Sequence, residues 1–208
     1  MLDRRLYMGM RILSAIFNPF IVPFLAFVVL FFFTYLAMLP LNYRLFVLAI
    51  VYSFTIILPT VGIFLFRKVN KWGFGAFRDR KKRYVPYLIS IICYEACQLL
   101  MREVSLPRYM SGIILGSLVA MIVSILANFR WKISEHMIAM GGVVGGVVIF
   151  SFLFNYNPIF WLSFFILLSG ALGSARIILK HHTVKEVVWG FIIGFVSIFL
   201  GVGIFFYW

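Results

Sequence analysis

The sequence predicts an all-α, polytopic transmembrane helix bundle of six to seven spans. Three observations carry that class. First, 64% of the 208 residues are hydrophobic, against about 45–50% in soluble domains, and the mean hydropathy is +1.07. One water-facing globule cannot bury that excess. Second, apolar runs of roughly 20 residues, the length that crosses a bilayer as helix, recur along the chain. Third, charged residues make up only 12%, yet the net charge is +13. In a lipid-embedded chain that imbalance points to anionic headgroups or phosphate substrates and to cytoplasmic loops.

The spans follow in order. The N-terminal MLDRRLYMGMR precedes an apolar run too long for a signal h-region, so the first span, 17–39, is read as retained. Pro19 and Pro23 stand near its start, where proline tilts or breaks a helix. Only a short turn with Pro40 separates it from the second span, 43–66, which leaves the count at six or seven. The third, 84–101, carries Cys93 and Cys97 on one helix face, read as small buried thiols because no Cys or His partner for a zinc site lies nearby. The fourth is 109–128. The fifth, 136–154, contains Gly141-Gly142 and Gly145-Gly146; the sixth, 158–178, follows the tight turn Asn155-Tyr156-Asn157 and carries Gly170 and Gly173. Small residues at such spacing let helices approach closely. The seventh is 184–207. Trp72, Trp131, Trp189 and Trp208 near span ends suit interfacial anchoring. The chain reads as one membrane domain, two N-terminal spans in 1–66 and a core in 67–208.

With seven spans the loops alternate sides. The N-terminus, 67–83, 129–135 and 179–183 then share one face, which holds 16 of the 19 Lys and Arg. The positive-inside rule places that face in the cytoplasm. Nucleic acid is not the expected partner, since the cations sit in short loops between apolar runs.

Three polar clusters lie on that face. RDRKKRYVP, 78–86, sets Arg80 and Arg83 three apart, on one side of a helical turn; taken alone it also fits a basic run contacting headgroups. KISEH opens the fifth span with Ser134 two residues before His136, a hydroxyl at a helix N-terminus, where anions bind; the plainer reading is that Ser134 caps the helix. ARIILKHHTVKEVVWG, 175–190, ends the sixth span on Arg176 and starts the seventh with His182 and Glu186 one turn apart. Glu186 can reach the His182 ring and fix its proton. Thr183-x-x-Glu186 is equally a capping box, and one carboxylate can serve both. Convergent arginines call for an anion and two histidines beside them for proton transfer; phosphate satisfies both.

The order basic cluster, Ser-x-His, then Arg-x5-His-x3-acid resembles the type 2 phosphatidic acid phosphatase superfamily, which shares its core with vanadium haloperoxidases, in a bacterial membrane-bound branch. That family's patterns are K-x6-R-P, P-S-G-H and S-R-x5-H-x3-D. Here the third is Ala175-Arg176, five residues, His182, three residues, Glu186, and the second is Ile133-Ser134-Glu135-His136. Lys71-x6-Arg78 fits the first spacing without its Pro, and Asp79-Arg80-x2-Arg83-x2-Pro86 resembles the bacterial version. The resemblance spans about residues 70–205. Glu186 stands for Asp, Ala175 for Ser, and Glu135 for Gly.

The resemblance implies a metal-independent lipid phosphatase of the inner membrane with no cofactor. His182 would attack phosphorus and form a phosphohistidine, braced by Glu186, and His136 would protonate the leaving alkoxide. Arg80, Arg83, Arg176 and Ser134 would hold the phosphate oxygens, with Arg78, Lys71 and His181 as further candidates. The partners are a lipid phosphate and the surrounding lipids. A transferase of phosphoryl or lipid headgroups on the same scaffold, and a non-enzymatic anion or lipid transporter, are the alternatives. The charge count sets the site in the cytoplasm; the resemblance sets it outside.

The charge count predicts that a cysteine placed in the 67–83 loop of a cysteine-free protein escapes an impermeant thiol reagent in intact cells. It should react only after lysis.

Overall fold

The computed structural model describes residues 4–73, 82, 84–104 and 106–207. Along the chain come α1 (Arg4–Ile16), α2 (Val22–Phe33), a 3-10 turn (Tyr35–Met38), α3 (Leu41–Tyr52), a π turn (Ser53–Ile57) and α4 (Leu58–Val69). Then follow α5 (Tyr84–Glu103), α6 (Arg108–Asn128), α7 (Glu135–Phe154), α8 (Ile159–Ile178) and α9 (Val184–Tyr207). No strand occurs among the described residues. Six helices are long and apolar enough to cross a membrane, with Leu41–Val69 counted as one. The protein is an all-α, multi-pass helix bundle.

The first span differs from its expected form. Residues 17–39 are not one membrane-length helix. The chain turns after α1, where the Asn18 side chain accepts from the Phe20 N–H at 3.1 Å, and α2 starts with Pro23 in its first turn. Its 12 residues reach only ~18 Å at ~1.5 Å each, short of a ~30 Å hydrocarbon core. The passage is finished by Thr34, whose backbone is extended, and by the 3-10 turn. It does cross the bundle. Ser14, before it, touches His136 and Arg176 at one end. Tyr35, after α2, lies at the other, its hydroxyl 2.6 Å from that of Tyr109 and its ring against Phe154.

The second span is continuous but locally widened and underwound at its middle. Pro59 has no N–H, and its ring clashes with the carbonyl four residues back. The π turn just before it absorbs the misfit: the Leu58 N–H reaches back to the Ser53 carbonyl, five residues away. Thr55 is fully buried there and donates to the Val51 carbonyl at 2.7 Å.

α9 runs through the bundle between α6 and α7, and glycine sets both distances. A Cβ built on Gly145 would lie 2.5 Å from the Phe195 carbonyl oxygen, and one on Gly190 2.8 Å from that of Ser134. Gly141 meets the Phe191 carbonyl and Gly194 that of Ile138 more closely still. On the other side, Cβ atoms at Gly112 and Gly116 would lie 2.7 Å from the carbonyls of Gly201 and Ser197. Gly141-x3-Gly145 with Gly190-x3-Gly194, and Gly112-x3-Gly116, thus make two small-residue seams at which backbone rests on backbone. Gly170 on α8 is different: nothing lies within 4 Å of its missing Cβ. Phe27, Phe31, Val51, Cys97, Met110, Ile114 and Val202 are sealed in the core between α2, α3, α5, α6 and α9.

Gly145→Ala should therefore lower stability by about 1–3 kcal/mol through backbone overpacking, although alanine is the better helix former. Gly170→Ala should be neutral or stabilising by up to about 1 kcal/mol. Unfolding of both variants in detergent micelles checks the pair.

Candidate functional site

The site forms where α8 ends and α9 begins. α8 stops in a Schellman turn: the His181 N–H reaches the Arg176 carbonyl at 3.1 Å and the Lys180 N–H reaches Ile177 at 2.9 Å. Lys180 takes the left-handed conformation this stop requires, φ 55°. The His182 N–H points at the same Arg176 carbonyl, at 3.4 Å. The five residues between the motif arginine and histidine are thus one helix stop, which folds the two back to back.

α9 then starts with a complete capping box. The Glu186 N–H donates to Thr183 Oγ1 at 3.4 Å, and the Thr183 N–H donates to Glu186 Oε2 at 3.2 Å. The same Oε2 lies 2.9 Å from His182 Nδ1. Both readings of this stretch hold together, since one carboxylate oxygen braces the helix and holds the ring. A carboxylate only accepts, so Nδ1 carries a proton, and in the neutral ring it is Nε2 that keeps the lone pair. The His182 side chain is 3% exposed.

α7 meets this turn edge on. The Ser134 N–H donates to the Glu186 carbonyl at 3.3 Å, and the Ser134 carbonyl accepts from Met137 and Ile138, both at 3.0 Å. Ser134 is the N-cap residue, but its side chain makes no capping bond. Its hydroxyl is fully buried and has no hydrogen-bond partner among the described residues. A plain cap is not what this hydroxyl does. It sits at a helix N-terminus, where the backbone end is positive and favours an anion. Two residues on, within the first turn, His136 follows.

Ser14, on α1, completes the arrangement and was not singled out by the sequence. Arg176 Nη1 donates to Ser14 Oγ at 2.8 Å, and His136 Nε2 donates to the Ser14 carbonyl at 3.0 Å. The partners are 162 and 122 residues away. A serine in an N-terminal amphipathic segment carries no local mark of such a role. These bonds bring His136, Arg176, His182, Glu186 and Ser134 to one end of the bundle.

Of the other candidates, Arg78, Arg80 and Arg83 lie outside the described residues. Lys71 is the left-handed stop residue of α4, φ 52°, in a second Schellman turn in which the Trp72 N–H reaches the Arg67 carbonyl at 2.9 Å. Among the described residues no contact joins it to His136, Arg176 or His182. His181 is exposed, and its carbonyl accepts from Lys132 at 3.4 Å.

An apolar groove of about 310 Å³ opens toward the lipid between α8 and α9. Gly170, Gly173, Ser174, Val188 and Phe191 line it, with Met137 from α7. Its lining includes chain neighbours of the site, Met137 beside His136, Ile177 beside Arg176 and Val187 beside Glu186, although no site residue itself lines it. A second groove, of about 350 Å³ between α6 and α9, holds none of the site residues.

No family model, curated protein or solved structure matches the chain.

The double role of Glu186 separates two variants. Thr183→Ala removes only the cap and should cost about 0.5–2 kcal/mol. Glu186→Ala removes the cap and also the partner of a buried imidazole, and should cost about 1–3 kcal/mol more. Unfolding in micelles measures both.

Proposed function

We propose that the protein is an integral membrane phosphatase that removes phosphate from a lipid phosphate monoester or a prenyl pyrophosphate through a phosphohistidine. The observation that carries this reading is the buried His182 ring, fixed at Nδ1 by Glu186, its backbone N–H turned to the Arg176 carbonyl. A ring held this way presents Nε2 as a nucleophile. The second imidazole, the open Ser134 hydroxyl and the N-terminus of α7 supply an acid and donors at the same end of the bundle.

In the first half-reaction the Nε2 lone pair of His182 forms the N–P bond as the P–O bond to the lipid alkoxide breaks. His136 gives its proton to that oxygen. In the second, water attacks phosphorus, the N–P bond breaks, and His136 takes the proton from water. Arg176 and Ser134 bind the phosphate oxygens throughout, joined by Arg80 and Arg83 as the motif resemblance implies. Positioning and charge stabilisation of this kind supply most of phosphoryl-transfer catalysis. Glu186 stabilises the imidazolium character of His182 as the N–P bond forms. The groove between α8 and α9 suits the substrate's hydrocarbon chain.

Phosphate release from phosphatidate, phosphatidylglycerol phosphate, prenyl pyrophosphates and phosphoinositides tests the reading. At least one should be hydrolysed by the pure protein. His136→Ala should lower the rate by about 10²–10⁴, and His182→Ala should lower it to background. Undiminished turnover by His182→Ala on every substrate would remove the nucleophile.

A further inference from the structure

Ser14 offers two oxygen acceptors to two donors that an anion at this site would meet. Its Oγ takes an N–H of Arg176 and its carbonyl takes the Nε2–H of His136. A guanidinium and an imidazole N–H each facing an oxygen is the pattern two oxygens of one phosphate would make. The electrostatics agree. Ser14 lies in the last turn of α1, at the negative end of the helix dipole; the Leu13 carbonyl before it accepts from the Phe17 N–H at 3.2 Å, whereas that of Ser14 turns to His136. The end of α1 is therefore a partial anion set on a cation site.

The site is also shut. Ser14 is 8% exposed, Ser134 fully buried, and the His182 side chain 3% exposed. Phosphorus cannot reach Nε2 in this arrangement, so an element must move. α7 and α9 are held to each other by glycine-to-backbone contact. α1 packs on α8, ends in a turn, and exposes Met8, Ile12 and Ile16 along its other side, with Arg11 beside Tyr7. An apolar stripe with neighbouring cations suits the boundary between headgroups and acyl chains, where the helix can rest when it leaves the site.

We propose that the C-terminal turn of α1 stands in for the substrate phosphate in the resting protein, with Ser14 as the displaced group. The proposal rests on the phosphate reading of the site. Binding of phosphate breaks the bonds from Arg176 and His136 to Ser14 and remakes them to phosphate oxygens, so α1 couples access to the membrane surface.

Inorganic phosphate is the probe. Ser14→Ala keeps the carbonyl but loses the hydroxyl that holds Arg176. The closed fraction falls, and phosphate should bind about three- to tenfold more tightly, since apparent affinity scales with the competent fraction. Unchanged or weaker binding overturns the proposal, because a serine that only positions Arg176 would strengthen binding. In a second variant, Ser14→Cys with Cys93→Ala and Cys97→Ala, a maleimide should label position 14 faster when phosphate is added. Slower or unchanged labelling while phosphate binds overturns the cover and leaves the phosphate site standing. Phosphate that binds neither wild type nor Ser14→Ala removes the phosphate site, and the cover with it.

Discussion

Backbone contact between α7 and α9 is the constraint on which the site depends. Gly141 and Gly145 on one helix, and Gly190 and Gly194 on the other, leave carbonyl oxygens resting where side chains would stand. In lipid there is little hydrophobic drive to hold helices together, so close packing must do it. The seam fixes more than a distance. At its end nearest the site, Gly190 lies against the Ser134 carbonyl while the Ser134 N–H meets the Glu186 carbonyl. The starts of two helices are thereby set side by side, and each brings one imidazole.

Polar groups at a membrane edge are costly, and the site keeps their number low by giving each several tasks. Arg176 ends a helix, accepts two backbone N–H groups through its carbonyl, and holds α1 with its guanidinium. Glu186 caps α9 and fixes a ring with one oxygen. Two helix N-termini and an arginine give this end a positive field, which lowers the cost of bringing an anion there.

The architecture was largely written in the apolar runs, because length and hydropathy are set by the bilayer. The form of the first passage was not. Pro23 and the Thr34 break shorten α2, and only contacts of Tyr35 with Tyr109 and Phe154 show that the chain still crosses. Pro59 was likewise silent about the π turn that accommodates it. Within the site, the pairing of His182 with Glu186 was legible since residues four apart share a helix face. The open Ser134 hydroxyl was not, for the same serine in sequence reads equally as a cap. Ser14 could not be found at all: its partners are distant in the chain, and no local spacing announces a contact made by packing α1 on α8. The seams of α6 and α9 were present as Gly-x3-Gly spacings, but spacing alone does not say which helices they join.

The burial of His182 bears on what can finish a reaction begun there. A phosphorylated ring in a chamber that admits water loses its phosphoryl group to water. In a chamber that stays dry, the same bond survives until an alcohol arrives, and the group passes to that alcohol. On the proposed phosphohistidine reading, hydrolysis and transfer would then differ by solvent admission alone, and the turn after residue 16 would set which product forms as well as when.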